Sequence, residues 1–417
     1  MIPRALPMVV MLASLVGCGP GTVPAPPDGP GPDGGFGPEA GEVDVGGGWS
    51  WLAVDGTRCA RGARSGLALQ RGGDGTDLFV YVQGGGACWN EGTCAPSYRT
   101  NGPLCYYNPN SPFCPNETGG MLPTSSYVDV ADPFPANGGA NLAHELSVLT
   151  PSAVFDRERA DNPFREASFV YVPYCTGDLH TGKSERTYRT QKDGFSPVVE
   201  HTHHFAGATN MERSIEVLQE RFPNVERIWL FGVSAGGYGA TFHHGRFRAA
   251  FPDAEVHLLA DSSPFIQPRH WDDWVAAWDM ALPEGCATCA EGLPQVMGHV
   301  LSQADAASAR VGLLAYERDA TVAWFFLAEK GAGPFINPGP TLDAYQAGLG
   351  SLLPLYDLSP ASGYFILPGE QHVMLPGYGY RQGDGTYTAP YPAPDGSTDL
   401  AAWIDAWAVG DAFPSIR

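Results

Sequence analysis

Short blocks of apolar residues recur along the chain, with mixed apolar and polar segments between them. This pattern predicts buried strands separated by helices. Six short runs are almost wholly apolar and rich in residues that favour strands. Strands that are apolar on both faces are typical of a parallel sheet covered by helices on both sides. We therefore expect an α/β fold with a mostly parallel sheet, helices on both faces and lid or loop insertions. The runs are Leu78–Val82, Phe169–Val172, Ile228–Phe231, Val256–Ala260, Val311–Tyr316 and Tyr364–Leu367.

The third run leads into Gly232-Val233-Ser234-Ala235-Gly236, after which a helix is predicted as far as Ala250. Strand, Gly-x-Ser-x-Gly and helix in this order are typical of a nucleophile elbow, where the serine hydroxyl stands clear of the sheet. The flanking residues are small because strand and helix approach each other closely at such a turn. The alternative is a glycine-rich turn that happens to contain a serine. The flanking elements favour Ser234 as a nucleophile.

An activated serine also requires N–H donors for the oxyanion of the reaction intermediate. The run Gly84-Gly85-Gly86 follows the first strong strand, where α/β-hydrolases place such donors. We predict that the N–H groups of Gly85, Gly86 and Ala235 form the oxyanion hole. The run taken alone is equally compatible with a plain turn, and its order relative to the elbow favours the functional interpretation.

The base of such a site is expected to be a late histidine that follows a strand. His372 fits, because it comes after Tyr364–Leu367 and a short turn. His299 lies in a predicted helix instead. Other histidines precede or closely follow the serine: His201, His203, His204, His243 and His244. The pair His201-x-His203 has metal-ligand spacing, but no carboxylate or cysteine cluster joins it in the sequence, so packing or surface roles are favoured.

The acid that orients the base is expected between Ser234 and His372, just past a strand. Asp319 meets this condition, since it follows Val311–Tyr316. It would hold one tautomer of the imidazole and stabilise the imidazolium. The alternatives for this role are Glu317, Asp305, Asp357 and Asp261.

The N-terminal residues have the pattern of an export signal. Arg4 precedes an apolar run that is too short to span a bilayer, and the run ends in a lipobox-like Leu15–Cys18. We expect residues 1–17 to be a lipoprotein signal peptide and Cys18 to carry the lipid, the alternative being an ordinary signal peptide with an incidental cysteine. Residues 18–48 are rich in Gly and Pro and are predicted to be a flexible tether. The hydrolase domain is then expected at 49–417.

Eight cysteines remain once Cys18 is set aside, and an even number in an exported protein indicates disulfides. Proximity in sequence suggests Cys88–Cys94, Cys105–Cys114 and Cys286–Cys289, which leaves Cys59–Cys175. Eight cysteines allow 105 connectivities, so other pairings stay open. A zinc knuckle at Cys286 and Cys289 is the alternative for that pair, but no second C-x-x-C completes four ligands. No metal is expected.

The formal net charge is −21. Nucleic acid is therefore not expected as a partner, because its phosphates require Lys and Arg, and strongly anionic polymers are disfavoured as well. Membrane contact is expected only through the lipid on Cys18, at a bacterial membrane on its periplasmic or outer face. The oligomeric state is left open.

Several motifs, taken in order, resemble the pectin acetylesterase family, which also includes Notum-like carboxylesterases, and the chain is identified as a bacterial lipoprotein member. The resemblance implies an α/β-hydrolase fold and a Ser–Asp–His esterase that removes acyl groups, with no metal or organic cofactor. Its triad would be Ser234, Asp319 and His372. The motifs are Asp55–Cys59, Gly84–Cys88 with Cys94, Val172–Asp178, His204–Gly207 and Gly232–Gly237.

These observations predict a serine carboxylesterase that removes O-acyl groups, most simply acetyl, from an acylated polysaccharide or a small ester. The alternatives are a lipase-like or polyester hydrolase with the same triad, and a surface-binding lipoprotein on an inactive hydrolase fold. Trp271, Trp274 and Trp278 have helical spacing. They are interpreted as the buried stripe of an amphipathic helix, or alternatively as a lid helix over the site.

Overall fold

Buried apolar strands form one large sheet in the computed structural model, which describes residues 41–73, 75–94, 146, 152, 154–190, 198–327, 339–375 and 391–417. The sheet has nine strands in the order β1-β2-β3-β5-β4-β8-β9-β10-β11, and β6 and β7 form a separate hairpin. The strands are β1 Val43–Gly46, β2 Trp49–Ala53, β3 Gly66–Gln70, β4 Asp77–Val82, β5 Ser168–Val172, β6 Ser184–Thr190, β7 Val199–Phe205, β8 Arg227–Val233, β9 Glu255–Asp261, β10 Val311–Tyr316 and β11 Ser362–Leu367.

The six strands predicted from the apolar runs are the parallel part of this sheet. Strands β5, β4, β8, β9, β10 and β11, in this spatial order, pair in parallel with one another. Strands β1, β2 and β3 pair antiparallel and extend the sheet beyond β5. The carboxyl ends of the parallel strands all lie along the same side of the sheet, which is where α/β sheets place ligands.

The two faces of the sheet are packed by different parts of the chain. Along β4, Leu78, Val80 and Val82 belong to one apolar core, and Phe79 and Tyr81 belong to the other. Most helices pack on the first face, while α8 and residues 154–164 pack on the second. The helices are α1 Glu91–Cys94, α2 Gly207–Arg221, α3 Ala235–Ala250, α4 Trp271–Trp278, α5 Leu293–Leu301, α6 Ala320–Leu327, α7 Gly339–Tyr356 and α8 Leu400–Val409.

The folded part begins earlier than the sequence predicts. Residues 43–46 form β1 and pair with β2, although they fall in the segment 18–48 expected to be a tether. Val43 and Val45 alternate with polar or small residues, and the turn that follows places Gly47 and Gly48 at φ of 64° and 79°. The glycines that resembled a linker thus form a tight hairpin turn.

Three disulfides lie among the described residues. They join Cys59 to Cys175, Cys88 to Cys94, and Cys286 to Cys289. The predicted pair Cys105–Cys114 and the lipidation site Cys18 lie outside the described residues. Because Cys286 and Cys289 share a disulfide, neither offers a thiolate to zinc.

The outermost parallel strand, β11, is covered at its free edge by a short C-terminal segment. Ile366 N donates to the Ile416 carbonyl at 2.9 Å, and Ile416 N donates to the Tyr364 carbonyl at 2.7 Å. These bonds satisfy backbone groups that an edge strand leaves open. Within the described residues, the helices are too short or too polar to cross a membrane.

Candidate active site

Ser234 occupies the turn between β8 and α3, at φ 52° and ψ −127°. Non-glycine residues rarely adopt this backbone conformation, which costs about 1–3 kcal/mol and occurs mainly at functional sites. Glycines allow the turn to be this tight, since a Cβ on Gly232 would overlap the Gly236 carbonyl. The geometry is that of a nucleophile elbow.

The predicted oxyanion loop, which we define as residues 83–88, packs directly on the elbow. A Cβ on Gly84 would overlap the Val233 carbonyl oxygen and lie 2.9 Å from Ser234 Cβ. A Cβ on Gly236 would overlap the Val82 carbonyl oxygen from the other side. The glycines are therefore required by close approach, and the loop lies beside the serine.

The three predicted oxyanion donors lie on the oxyanion loop and at the start of α3. Within the described part of the chain, the backbone N–H groups of Gly85, Gly86 and Ala235 have no hydrogen-bond acceptor. Gly86 has φ 88°, a conformation that glycine adopts without strain. Two of these N–H groups belong to the loop and one to the residue after Ser234, which are the two places from which α/β-hydrolases draw oxyanion donors.

The segment that follows β5 fixes the oxyanion loop. Tyr174 N donates to Gln83 Oε1 at 2.9 Å, and the Tyr174 hydroxyl donates to the Gly86 carbonyl at 2.8 Å. His180 Nε2 donates to the Gln83 carbonyl at 2.9 Å. Burial lowers the pKa of His180 to about 4, so the ring is neutral. Cys88 N donates to the Gly177 carbonyl at 2.8 Å.

Asp178 holds this supporting segment together. It is fully buried and accepts from the Thr176 hydroxyl at 2.6 Å, from Gly207 N at 2.9 Å and from His180 N at 3.1 Å. Burial raises the pKa of Asp178 to about 6, while these hydrogen bonds oppose the rise. The sequence indicated Asp178 only as part of a family motif, because most of its partners are backbone N–H groups.

The structure brings Asp319 and His372 together. His372 Nδ1 lies 2.7 Å from Asp319 Oδ2, and the carboxylate is fully buried. Asp319 lies between β10 and α6 and also accepts from Val322 N at 2.9 Å. Burial acts to lower the pKa of His372, but attraction to Asp319, their hydrogen bond and the charge of Asp261 outweigh it and raise the pKa above 6.5.

The four alternative acids have other partners. Glu317 pairs with Arg417, and Asp357 accepts from the Ser415 hydroxyl. Asp305 accepts from N–H groups of its own loop, and Asp261 accepts from the backbone of residues 374 and 375. Among the described carboxylates, Asp319 is the one hydrogen-bonded to His372.

The serine and the histidine are linked through the end of β9. Ser234 N donates to the Asp261 carbonyl at 2.8 Å. Met374 N donates to Asp261 Oδ2 at 2.8 Å, and Val373 N donates to Ser262 Oγ at 2.8 Å. Within the described residues, Ser234 Oγ makes no hydrogen bond to His372 Nε2, and catalytic hydrogen bonds often tighten only when substrate is bound.

The other histidines are held in structural contacts. His243 and His244 are buried and donate to the carbonyls of His180 and Val256. His203 Nε2 lies 3.8 Å from Cys88 Sγ, and these two residues with Cys94 have the spacing of metal ligands. Both sulfurs belong to a disulfide, however, so this cluster offers no thiolate. The His201 side chain lies outside the described structure.

The tryptophans of α4 form a buried stripe, which is the first of the two interpretations. Trp274 and Trp278 are fully buried and stack with ring centroids 5.1 Å apart. Trp278 Nε1 donates to the Cys88 carbonyl at 2.7 Å. Helix α4 therefore packs against the end of the oxyanion loop and supports it from below the surface.

A strained serine after a central strand, a glycine loop beside it and an Asp–His pair after later parallel strands together define an α/β-hydrolase-like fold. The family model described as Pectinacetylesterase matches residues 143–276. This match confirms the resemblance to the pectin acetylesterase family. The matched segment contains Ser234 and ends before Asp319 and His372.

Two curated relatives are each similar to less than a third of the chain. Human palmitoleoyl-protein carboxylesterase NOTUM is 26% identical over 133 residues, which cover 30% of this chain and 25% of the relative. Palmitoleoyl-protein carboxylesterase notum1′ of Xenopus laevis is 26% identical over 129 residues, which cover 29% and 24%. The chain thus spans about a quarter of the length of these relatives.

Proposed function

We propose that the protein is a serine carboxylesterase that removes O-acyl groups, most simply acetyl, from a carbohydrate or another ester. The observation that carries the proposal is the 2.7 Å bond between His372 Nδ1 and the buried Asp319. It fixes the tautomer that leaves Nε2 free to accept a proton. The strained Ser234 and the open N–H groups beside it supply the other roles.

In the proposed reaction, Ser234 Oγ attacks the ester carbonyl carbon and its proton passes to His372 Nε2. The carbonyl oxygen becomes an oxyanion that accepts from the N–H groups of Gly85, Gly86 and Ala235. Collapse breaks the ester C–O bond, and the alcohol leaves with the proton from His372. Water then attacks the acyl-serine with His372 again as base, which releases the carboxylic acid and restores Ser234.

The oxyanion donors are expected to supply much of the rate acceleration. Each donor in such a site contributes about 2.7–4 kcal/mol to stabilisation of the transition state. This contribution depends on donors that are fixed before the reaction, because reorientation during the reaction would cost free energy. The bonds from Tyr174 and His180 to the loop support that arrangement.

Charge favours an acceptor that is neutral or weakly charged. The net charge of −21 repels a polyanion such as polygalacturonate. The three cations that follow the motif Val172–Asp178 are engaged: Lys183 pairs with Glu212, Arg189 pairs with Glu200, and Arg186 donates to a carbonyl of α4. We therefore propose acylated neutral carbohydrate or a small ester as substrate, ahead of acetylated pectin.

We also propose export and a lipid anchor at Cys18. The signal-like residues 1–17, the lipobox-like pattern and the described disulfides support export together, because disulfides persist in oxidising compartments. Metabolic labelling with a radioactive fatty acid tests the anchor, and a Cys18→Ser variant that retains the label would contradict it.

The proposed activity is tested with p-nitrophenyl acetate and a fluorophosphonate probe. Ser234→Ala is expected to lose at least about three orders of magnitude in kcat and all labelling, because nucleophile, base and acid act as one unit. Ser351→Ala, an exposed helical serine, is the matched control and should behave as wild type. An unlabelled wild-type protein would favour the surface-binding alternative. A preference for long acyl chains would favour the lipase-like or polyester alternative.

A further inference from the structure

We propose that Asp261 is a positioning residue that joins the nucleophile to the base and supplies a second negative charge to His372. This inference rests on the proposed triad and goes beyond it, since neither the motif pattern nor the acid–base pair requires a second carboxylate. Asp261 is the last residue of β9, beside the strand that carries the elbow.

The first part of the argument is the set of hydrogen bonds that Asp261 makes. Its carbonyl accepts from Ser234 N at 2.8 Å, and its Oδ2 accepts from Met374 N at 2.8 Å and Leu375 N at 2.9 Å. One residue therefore binds the backbone of the nucleophile and the loop directly after the base.

The neighbouring residue adds a parallel link. Ser262 Oγ accepts from Val373 N at 2.8 Å. Ser262 and Val373 have φ of 54° and 58°, a region that costs non-glycine residues free energy. The hydrogen bonds hold both residues in this conformation, as expected where a precise geometry is required. Three successive N–H groups after His372 are thus bound by two residues at the end of β9.

The second part of the argument is charge. Burial raises the pKa of Asp261 to about 6, and the N–H donors and His372 oppose the rise. Asp261 is thus ionised at neutral pH, and its charge raises the pKa of His372 together with Asp319. Among the described residues, the phenol of Tyr316 interacts with Asp261 and Asp319, and the phenols of Tyr238 and Tyr345 interact with Asp319. All three stay neutral because burial raises their pKa. Arg318 is half-buried and pairs with Asp343 and Glu370.

A purely structural carboxylate would accept the same kind of hydrogen bonds without any electrostatic effect on the base. Asp178 is such a residue and a matched control. It is also fully buried, accepts backbone N–H groups and has a pKa raised to about 6 by burial. It differs from Asp261 in that His372 is not among the groups that act on its pKa.

The test compares Asp261→Asn and Asp178→Asn with wild type in profiles of kcat and kcat/KM against pH, on p-nitrophenyl acetate. Asparagine keeps the shape but removes the charge, and it offers one oxygen to the N–H groups. For Asp261→Asn we expect kcat to fall roughly ten- to a hundred-fold with KM nearly unchanged, as for a misplaced catalytic group. The acid limb, which is the part of the profile where activity falls as the pH is lowered, should move to lower pH by at least roughly half a unit, because His372 loses a neighbouring negative charge.

Asp178→Asn should lower the melting temperature but leave the acid limb where it is. If the limb of Asp261→Asn coincides with that of wild type, the second charge plays no part and the proposal is overturned. If Asp261→Asn does not fold, Ser262→Ala provides the test. In this variant kcat should fall, while KM and the acid limb should stay unchanged. An unchanged kcat would overturn the proposal. Activity that survives Ser234→Ala would instead overturn the proposed function.

Discussion

Replacing Gly84 with alanine tests the contact between the oxyanion loop and the elbow. The added Cβ would overlap the Val233 carbonyl oxygen and lie 2.9 Å from Ser234 Cβ and 3.2 Å from Ala235 N. The backbone of Gly84 lies outside the left-handed region, so alanine meets no conformational penalty there. The loop must therefore move away from the elbow, because the atom that the new Cβ overlaps is a backbone carbonyl oxygen, which cannot rotate aside as a flexible side chain could.

The size of the effect follows from the donors that move. Gly85 and Gly86 are the next residues in the loop, and displacement of one donor costs about 2.7–4 kcal/mol of transition-state stabilisation, or about 10²–10³ in kcat. We expect Gly84→Ala to lose at least this factor on p-nitrophenyl acetate. KM should change less, since the oxyanion forms only in the transition state.

Gly245→Ala is the matched control, because Gly245 lies in α3 and a Cβ there meets nothing within 4 Å. Alanine is favoured over glycine inside a helix by about 0.8–1.0 kcal/mol, so this variant should keep full activity and unfold at a slightly higher temperature. The assay measures kcat, KM and the melting temperature of both variants. A Gly84→Ala enzyme within a few-fold of wild type would refute the placement of this loop as the oxyanion hole.

Three further predictions concern the acid, a disulfide and the response to pH. Asp319→Asn should lower kcat by about 10⁴, because an amide stabilises the wrong tautomer of the base. Asp357→Asn is the control and should have a kcat near that of wild type. Equal kcat values for the two variants would mean that another residue is the acid. The double variant Cys88→Ser/Cys94→Ser should lose more activity than Cys286→Ser/Cys289→Ser, measured at equal folded fraction, and the reverse order would count against an anchored loop. The melting temperature should fall from pH 7 to pH 4.5. Burial lowers the pKa of five histidines to about 3–4, so below pH 6.5 the unfolded chain takes up protons that the folded chain does not. The raised pKa values of two carboxyls and of His372 oppose this fall, since the folded chain takes up those protons first. A melting temperature that stays constant over this pH range would contradict the prediction. The histidines are His180, His203, His243, His244 and His257; the carboxyls are Asp178 and Asp261.

The parallel part of the fold could be predicted because its strands are buried on both faces. A run such as Val311–Tyr316 is apolar at nearly every position, and it forms a strand with those same bounds. Strands β1–β3 and the hairpin β6–β7 lack that signal, since Ser184–Thr190 is largely polar and Val43–Gly46 lies among glycines. Their pairing depends on turns and on neighbouring strands, which a local pattern does not reveal.

The candidate site also has a part that could be predicted from the sequence and a part that could not. Ser234, Asp319 and His372 could be proposed from their types and positions after strands, and the structure places the last two in contact. The role of Asp261 could not be proposed from the sequence, because its side-chain oxygen accepts from backbone N–H groups that are 113 and 114 residues away. Backbone donors carry no residue identity, so only the folded geometry shows which side chain accepts from them.

The two halves of the proposed catalytic machinery rest on parts of the sheet with unequal resistance to local opening. Ser234 follows β8, an interior strand, whereas His372 follows β11, which lies at the end of the strand order and is covered by the segment around Ile416. Edge segments open at lower free energy than central strands. Heating should therefore detach the base while most amide protons of the central strands stay protected from exchange, and activity should disappear reversibly at temperatures below the global transition.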